Sequence, residues 1–539
     1  MSSEYVRVSA IPGGYLISGM AVGESDLRER WLRTRPDFIV KILQQEVHQV
    51  GRNNIPIVDG IKRALISALQ EFKQRKDSIW ELQEQTGAIV YVDWSLPRKS
   101  VVASEQIDLR GIPMKDLHLP TTILTNRVAS YLGRPTVMEL GWKTAAPVAG
   151  VTANWNGYAV RSLTWSGHSH SYAASRKAAL LEGIERRVGA LQSDSDYVTS
   201  TAEDLPGRVI TPEDFPPYPA AFFRGRGARF DPTSLHEWVQ VTNARDGSKA
   251  WMPREYVYYG QQMHNTRWAL TSSSGCATGS SVSEAMLFGI LELIERDAYV
   301  GSWYGDIPPT PIDSDFLPSS LSSKIARLSF LGYSFKCAWL PSVNGVPVIL
   351  VHVFGDTRLG LIGAIGTAAH PDPYVACIGA FEEAWTYICA RMSISESMME
   401  RARILRENPT LCQDIDDHPL LLINPQIPDY QNLCGTGDPV RLARTDIWRG
   451  KTPYTIDAVL SRLIRELSDL HMDLWYRLQT SAFERSLGLE TVMVLAPDLL
   501  PIDFGWDLQR ALQAHRLCSV IRNYHGYNRK PRMLPHPFS

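Results

Sequence analysis

The chain has 539 residues and a mass of 60.4 kDa, with 44% hydrophobic and 21% charged residues. This composition is that of a globular protein with at least one large core, and we expect two or three domains. The formal net charge of −2 gives no reason to expect nucleic acid or an anionic membrane as a partner.

The cysteine pattern indicates the compartment. The seven cysteines are odd in number and scattered, and no Cys or His spacing indicates a zinc site. Several lie in apolar runs typical of buried thiols, which favours a reducing environment. The chain has no signal-peptide pattern at its start and no apolar run approaching about eighteen residues. We therefore expect a cytoplasmic protein.

Residues 1–120 are predicted to form a smaller N-terminal α/β region. Residues 4–20 are typical of a β-hairpin that turns at a Pro-Gly-Gly sequence. Helical patterns follow, above all over residues 61–85, before a strand over residues 88–93. Two interpretations stay open: a peptide-binding module of winged-helix type, or a cap that packs on the catalytic domain or on its dimer mate.

The segment SRKAALLEGIERR, residues 175–187, is predicted to be an amphipathic helix. Residues i, i+3 and i+4 of a helix share a face, so Glu182, Glu185 and Arg186 should cluster. The opposite, apolar stripe consists of Leu181, Ile184 and Val188. The helix therefore presents two carboxylates and one guanidinium in a fixed arrangement.

The same pattern recurs in SEAMLFGILELIERDA, residues 283–298, where Glu292, Glu295 and Arg296 share a face. The apolar stripe of this helix consists of Leu287, Ile290, Leu291 and Ile294. The preceding loop, SSSGCATGSS, has small residues whose backbone N–H groups can approach an anion closely. It contains neither GxxxxGK[ST] nor GxGxxG, so a nucleotide site here is neither a P-loop nor a Rossmann site.

Two interpretations of these helix faces stay open. Each face can be a solvated surface with one modest Glu–Arg pair, and the loop can be an ordinary turn. Alternatively, the four carboxylates come together and need cations, which are usually divalent ions with oxygen ligands that bridge to phosphates. The duplication favours the second interpretation, and it also hints at internal pseudo-symmetry between the two helices.

A third segment, GLIGAIGTAAHPDP, spans residues 360–373. Its first part predicts a buried strand that runs into a Gly/Ala-rich turn. Asp372 and Pro373 then open a helix that carries Glu382 and Glu383. Here too, carboxylates follow an apolar helical run.

The remaining segments are predicted as loops and a stiff tail. Residues 205–235 and 404–455 are typical of long surface loops. The chain ends in LPHPFS, whose prolines restrict the backbone. One hypothesis has this tail lining the active site, with His536 or the Ser539 carboxylate assisting proton transfer, and the alternative is a disordered end.

These segments resemble the YcaO-type ATP-dependent enzymes. SSSGCATGSSVSEAMLFGILELIERDA is similar to the signature loop and Glu-x-x-Glu-Arg-Asp helix of that family, and KAALLEGIERR to its earlier helix. GTAAHPDPYVACIGAFEEA is similar to its Gly-x-x-x-His-Pro-Asp-Pro segment, and the tail to the proline-rich end of azoline-forming members. The resemblance spans residues 145–391. The positions at which the chain departs from common family residues are Ala178, Ser274, Phe288, Thr386 and Ser539.

The resemblance implies a fold and a site. We expect an α+β fold in which β-sheets packed with helices form pseudo-symmetric halves, with the catalytic domain over residues 121–539. ATP and Mg²⁺ are the implied cofactors. The implied metal ligands are Glu182, Glu185, Glu292 and Glu295. The implied nucleotide-binding residues are Arg186, Arg296, Ser274 and Glu383. The implied catalytic residues are Glu182, Glu292, His536 and Ser539.

The implied function is that of a cyclodehydratase that makes thiazoline or oxazoline rings in a ribosomally made precursor peptide. Two alternatives stay open, namely thioamide or amidine formation on the same activated amide, and a non-catalytic scaffold that binds the precursor. The implied partners are the precursor, a leader-binding protein and a flavin-dependent dehydrogenase, and we expect a homodimer. We expect neither nucleic acid nor a membrane as a partner.

Overall fold

The computed structural model describes residues 7–11, 14–18, 30–31, 78–83, 89–93, 109–128, 130–134, 136–138, 148–155, 160–169, 171–190, 197–225, 227–259, 268–269, 272–357, 360–391, 394–442 and 455–538. In this part of the chain, no helix combines the length and apolar character that crossing a bilayer requires.

The strands of the described residues form four sheets. They are β1 (Arg7–Ile11), β2 (Gly14–Ser18), β3 (Ser78–Gln83), β4 (Ile89–Asp93), β5 (Val137–Met138), β6 (Val148–Trp155), β7 (Val160–Gly167), β8 (Val198–Ser200), β9 (Arg208–Val209), β10 (His236–Asn243), β11 (Lys249–Pro253), β12 (Cys276–Gly279), β13 (Thr310–Ile312), β14 (Tyr333–Leu340), β15 (Val348–Thr357), β16 (Gly360–Ala369), β17 (Trp475–Leu478) and β18 (Glu490–Leu495).

The helices of the described residues are α1 (Thr121–Leu124), α2 (Tyr172–Ala190), α3 (Ala220–Gly225), α4 (Arg254–Val257), α5 (Val282–Tyr304), α6 (Ser322–Phe330), α7 (Pro373–Arg391), α8 (Glu396–Glu407), α9 (Pro428–Gln431), α10 (Ile456–Asp469), α11 (Ala482–Ser486) and α12 (His515–His525). The predicted α+β class, with sheets packed against helices, is confirmed. The division at residue 120 stays a prediction.

The N-terminal sheet is an antiparallel meander in the order β1-β2-β3-β4. The predicted hairpin and the predicted strand near residue 90 are confirmed. The helix predicted over residues 61–85 is wrong over β3, and residues 61–77 lie outside the described residues. The reason is tertiary, because β3 pairs on both sides, with Ile17 opposite Trp80 and Trp80 opposite Tyr91, and such pairing overrides a local helical pattern.

A central sheet of seven strands runs in the order β12-β18-β17-β10-β11-β9, and β8 also pairs with β10. Among the strand pairs of this sheet in the described residues, only β9–β11 is parallel. The segment predicted as a surface excursion over residues 205–235 contributes β9 and α3. Parts of the predicted loop over residues 404–455 are buried, including Leu420 and Tyr430.

Two smaller sheets carry the helices of the first and third sequence segments. The sheet β5-β6-β7 is covered by α2, whose Leu180 and Ile184 pack with Trp165. The sheet β13-β14-β15-β16 is covered by α7, whose Phe381 and Ala384 are fully buried. Helix α5 packs on β12 and β18 of the central sheet and also on β16, so it lies where the sheets meet.

Two units of the structure are built alike, whereas the pseudo-symmetry between α2 and α5 stays a prediction. The repeated unit is a β-hairpin followed by a 19-residue helix, which occurs as β6-β7-α2 and as β15-β16-α7. Helix α5, which shares the Glu-x-x-Glu-Arg pattern with α2, instead follows β12, a short strand that pairs with the distant β18. The shared Glu-x-x-Glu-Arg pattern shows that α2 and α5 carry similar polar faces. The hairpin–helix units are alike in a different respect, namely in the order of their strands and helix.

Candidate active site

Local sequence places the three helices as predicted. Ser281 caps α5, since its hydroxyl accepts the backbone N–H of Glu284 at 3.1 Å. Asp372 accepts the backbone N–H of Tyr374 at 3.0 Å and Pro373 begins α7, as predicted. The preceding strand is longer than predicted, because β16 continues through Ala369 rather than ending in a Gly/Ala-rich turn.

Each helix holds one carboxylate against the backbone of the segment that precedes it. The N–H of Ser166 donates to Glu182 at 2.9 Å, and the N–H of Thr367 donates to Glu383 at 2.8 Å, both across 16 residues. The N–H of Gly275 donates to Glu292 at 2.9 Å. Three carboxylates are therefore oriented by backbone donors, which hold a side chain more rigidly than solvent does.

Glycines beside two of these donors allow the close approach of strand and helix. A Cβ atom at Gly167 would lie 2.2 Å from the Ser175 carbonyl oxygen, and one at Gly366 would lie 2.4 Å from the Ala380 carbonyl oxygen. Both contacts are with backbone, which cannot move aside without breaking the helix. A small residue is therefore required at each point where a strand meets its helix.

The carboxylates of different helices influence one another. Burial raises the pKa of Glu185 well above its usual value, and the charges of Glu292 and Glu182 raise it further. Burial also raises the pKa of Glu295 to about 7 and that of Glu383 to about 8. The Arg296 guanidinium opposes both of these shifts. The fold thus brings together the glutamates of α2, α5 and α7, as the sequence predicted for the first two.

Arg296 lies among these carboxylates, and two of its N–H donors are not used in hydrogen bonds among the described residues. One of its nitrogens is 3.5 Å from Glu292, whereas Nε and Nη1 are buried and have no hydrogen-bond partner among the described residues. The guanidinium carbon lies 4.3 Å from the centre of the Phe538 ring. An arginine with two unused donors beside half-buried carboxylates fits a phosphate oxygen.

The donor set also fits a magnesium nucleotide. Mg²⁺ prefers oxygen ligands and usually keeps waters and phosphate oxygens alongside one or two carboxylates. In the described ranges, no three carboxylate, imidazole or thiol groups converge closely enough to form a protein-only cage. Glu182, Glu185, Glu292 and Glu295 would supply single carboxylate ligands, and Arg296 a phosphate contact.

The other predicted nucleotide contacts differ in their surroundings. Arg186 makes an ion pair with Glu182 at 2.7 Å, four residues earlier on α2. The Ser274 backbone N–H and hydroxyl both contact the Ser272 hydroxyl, at 3.1 and 3.0 Å, which fixes the turn that points Gly275 at Glu292. Ser274 is half-buried, and its role in binding a nucleotide stays a prediction.

The C-terminal tail is ordered, so the alternative of a disordered end is wrong. His536 is fully buried, its ring centre is 4.2 Å from that of His418, and its Nε2 is 3.0 Å from the Asp503 carbonyl oxygen. Burial holds the pKa of this imidazole well below its usual value. Its part in proton transfer stays a prediction, and Ser539 lies outside the described residues. The tail residue that reaches the carboxylate cluster is Phe538.

Sequence reasoning missed three residues that surround the cluster. The Thr367 hydroxyl donates to Glu295 while its N–H holds Glu383, so this residue links α5 to α7. His168 lies near Glu182 and Glu382, and burial lowers the pKa of its ring, which favours the neutral form. Lys324 makes an ion pair with Glu382. Thr367 follows Gly366 within β16, and His168 follows Gly167 at the end of β7, so a polar residue directly after a strand glycine is a signal that could have identified both.

The raised pKa values predict how stability depends on pH without a cation. From about pH 4.5 to about pH 8 the folded protein keeps protons on Glu295 and Glu383 that the unfolded chain has released, so stability should fall as pH rises through this window. Melting temperatures in EDTA should therefore decrease across it. Excess Mg²⁺ with a non-hydrolysable ATP analogue should reduce the decrease, because the cation neutralises the carboxylates.

Glu383→Gln tests the origin of this pH dependence, with Glu466→Gln as the control. Glu466 makes an ion pair with Arg462 on α10. The first variant should flatten the pH profile in EDTA and the second should leave it unchanged. Identical profiles in all three proteins would show that the carboxylate cluster does not titrate in this range.

Comparisons with known proteins concern the family and the fold. A family model described as YcaO cyclodehydratase, ATP- and Mg²⁺-binding, matches residues 166–500. A solved heterocyclase in complex with substrate and cofactor has a TM-score of 0.74 and 17% identity, covering 99% of this chain and 78% of the other. The heterocyclase TruD has a TM-score of 0.66 and 16% identity, covering 98% and 74%. Both likenesses concern the fold.

The curated relatives match a smaller part of this chain than the solved structures do. An uncharacterized protein from Methanothermobacter thermautotrophicus is 23% identical over 235 residues, which are 41% of this chain and 55% of the relative. The chain thus spans about half the length of the curated relatives it matches.

Proposed function

The chain belongs to the YcaO family, and from this premise we propose that it is an ATP- and Mg²⁺-dependent cyclodehydratase that forms thiazoline or oxazoline rings in a ribosomally made peptide. The observation that carries the proposal is the half-buried cluster that joins glutamates of α2, α5 and α7, with Arg296 and its two unused donors beside the glutamates of α5 and α7. This arrangement is suited to a magnesium-bound polyphosphate, because it combines oxygen ligands with a guanidinium.

The proposed reaction needs no nucleophile from the enzyme, because the substrate supplies it. A Cys, Ser or Thr side chain of the substrate attacks the preceding carbonyl carbon and loses its proton. ATP supplies a phosphoryl group to the former carbonyl oxygen, which then leaves as phosphate, and the amide nitrogen loses its proton to give the ring. The peptide has lost one water. The enzyme contributes by holding reactants in line and by neutralising charge.

The glutamates and Arg296 have different roles in this proposal. Glu182, Glu185, Glu292 and Glu295 would hold Mg²⁺, and their backbone and hydroxyl donors keep them oriented before the nucleotide binds. Arg296 would donate Nε–H and Nη1–H to a phosphate oxygen, and the Phe538 ring packs against its guanidinium, 4.3 Å from the central carbon. In this way the cluster would stabilise negative charge on phosphate.

Product analysis tests the proposal. The full-length chain is incubated with its precursor peptide, Mg²⁺ and ATP, and the peptide is examined by mass spectrometry. Each ring should appear as the loss of one water, with one phosphate released per ring. Replacement of oxygen by sulfur would establish thioamide formation instead. If the peptide stays unmodified and no ATP is hydrolysed, the result would favour the alternative of a non-catalytic scaffold that binds the precursor.

The proposed partners follow from this function. They are the precursor peptide, a separate leader-binding protein and a flavin-dependent dehydrogenase that oxidises the rings, with the chain itself as a homodimer. Titration of the purified chain with full-length precursor should show weak binding, which the leader-binding protein should strengthen. Tight, leader-dependent binding that is lost on deleting residues 1–115 would instead make the N-terminal region the leader reader.

A further inference from the structure

Thr367 lies near the end of β16, between two helices that carry glutamates of the cluster. Its hydroxyl donates to the Glu295 carboxylate on α5, and its backbone N–H donates to the Glu383 carboxylate on α7 at 2.8 Å. The threonine side chain is buried. One residue of the sheet therefore holds one carboxylate from each of two helices, through two different polar groups.

The other hairpin–helix unit has only one of these two contacts. In β6-β7-α2, the backbone N–H of Ser166 donates to Glu182, again across 16 residues. Ser166 is exposed, and among the described residues no hydrogen bond involves its hydroxyl. The backbone donor is therefore common to both units, whereas the hydroxyl bond that reaches α5 is specific to Thr367.

The surroundings of Glu295 explain why such a contact matters. Burial raises the pKa of Glu295 to about 7, and the charge of Glu292 acts in the same direction. The Arg296 charge, the Thr367 hydroxyl and the backbone of Ala369 act in the opposite direction. A carboxylate that is already held in one orientation loses less rotamer freedom when a cation binds, so its affinity for the cation is higher.

The position of Thr367 is itself fixed by the packing of β16. The strand pairs with β15 along its whole length, with Thr367 opposite Leu350. A Cβ atom at the preceding Gly366 would lie 2.6 Å from the Ala384 backbone nitrogen and 2.8 Å from the Glu383 Cβ. The strand therefore lies directly against α7, and the two donors of Thr367 are held in place before any cation binds.

We propose that Thr367 is a positioning residue of the divalent-cation site, in which its hydroxyl sets the orientation of Glu295 and thereby raises the affinity for Mg²⁺. The assignment of the cluster as a magnesium site rests on the proposed function. Thr367 acts through the carboxylate and not by contact with the cation. Groups that hydrogen-bond to metal-binding side chains commonly contribute about 10-fold to 100-fold to metal affinity.

Binding of Mn²⁺ to the full-length chain, without nucleotide or peptide, tests this inference. Mn²⁺ also prefers carboxylate oxygens, and its free form is measured directly by electron paramagnetic resonance. Thr367→Val keeps the shape of the side chain and removes its hydroxyl, so we expect the Kd for Mn²⁺ to rise about tenfold. Thr367→Ser keeps the hydroxyl, so its Kd should stay within about threefold of the wild-type value.

Two further variants separate metal binding from stability. Thr491→Val is the matched control, because the buried Thr491 hydroxyl donates to the buried Glu484 carboxylate at 2.8 Å, outside the cluster. It should lower the melting temperature, since it also removes a buried hydrogen bond, and leave the Kd for Mn²⁺ unchanged. Thr367→Ala differs from Thr367→Ser only by the hydroxyl and cannot overpack the site, so it should bind Mn²⁺ as weakly as Thr367→Val does.

Three results would overturn the inference. They are the absence of Mn²⁺ binding by the wild type, equal Kd values for the wild type and Thr367→Val, and an equal loss of affinity in Thr367→Val, Thr367→Ser and Thr491→Val. Because neither nucleotide nor peptide is used, the proposed function is tested separately. The expected order of Kd values in a protein that never modifies the precursor would refute the proposed function and leave the role of Thr367 intact.

Discussion

Glu292→Gln is expected to lower ATP turnover, measured with precursor peptide and Mg²⁺, by about 100-fold or more. Glutamine keeps the oxygen that accepts the Gly275 N–H but removes the charge that would bind Mg²⁺. Loss of one metal contact in the transition state is worth about 3 kcal/mol, or roughly two powers of ten in rate. The melting temperature should change little, because the Glu292–Arg296 pair is partly solvated. Glu182→Gln should act in the same direction.

Glu466→Gln is the matched control for this prediction, since it removes another i,i+4 pair with an arginine, at 2.7 Å, on a helix outside the cluster. Its ATP turnover should stay within about twofold of the wild type, because this partly solvated ion pair lies outside the carboxylate cluster. Phosphate release distinguishes the two variants directly. If Glu292→Gln hydrolysed ATP as fast as Glu466→Gln, the carboxylate cluster would not be the metal–nucleotide site.

Phe538→Ala is expected to destabilise the protein by about 3–5 kcal/mol, the usual cost of removing a buried phenyl ring. Phe538 is 1% exposed and packs against Tyr299 as well as Arg296. Deleting residues 534–539 should cost at least as much, because it also removes the carbonyls bonded to Trp303 and Tyr430. Thermal denaturation measures both effects, and unchanged stability would show that the tail is only a solvated end.

Phe538→Leu tests whether the ring positions Arg296, separately from its contribution to the stability of the fold. Leucine fills much of the same volume at a cost of about 1.5 kcal/mol but lacks the aromatic face that holds Arg296. Peptide modification should fall roughly tenfold, more than ATP binding does. Phe504→Leu serves as the control, since Phe504 packs on His418 and His536. Equal modification rates in the two leucine variants would show that the ring does not position Arg296.

Local sequence predicted the helical parts of the site well. Helical spacing places Glu182 beside Arg186 and Glu292 beside Arg296, and both ion pairs occur in the structure. The start of α7 at Pro373 followed from the chemistry of a single dipeptide. Such features depend on residues within one or two turns, so the residues themselves are sufficient evidence for them.

Predictions from sequence were less successful where the structure depends on contacts between residues that are distant in the chain. Residues 78–83 have a helical pattern in isolation but form β3, because strands on both sides supply hydrogen bonds that the sequence does not show. A likeness between two hairpin–helix units was also not visible in the sequence. The Glu-x-x-Glu-Arg pattern describes a helix face, whereas the repeat is defined by hairpins that precede α2 and α7.

The sequence by itself determined the family, the class of fold and the carboxylate faces of α2 and α5, because these depend on motifs and on helical spacing. Only the tertiary structure decided that Thr367 joins Glu295 to Glu383, and that Phe538 covers Arg296. Thr367 and Glu295 are 72 residues apart, and no periodicity relates them. Their contact exists because β16 and α5 pack together in three dimensions, and packing between distant segments is set by the whole fold.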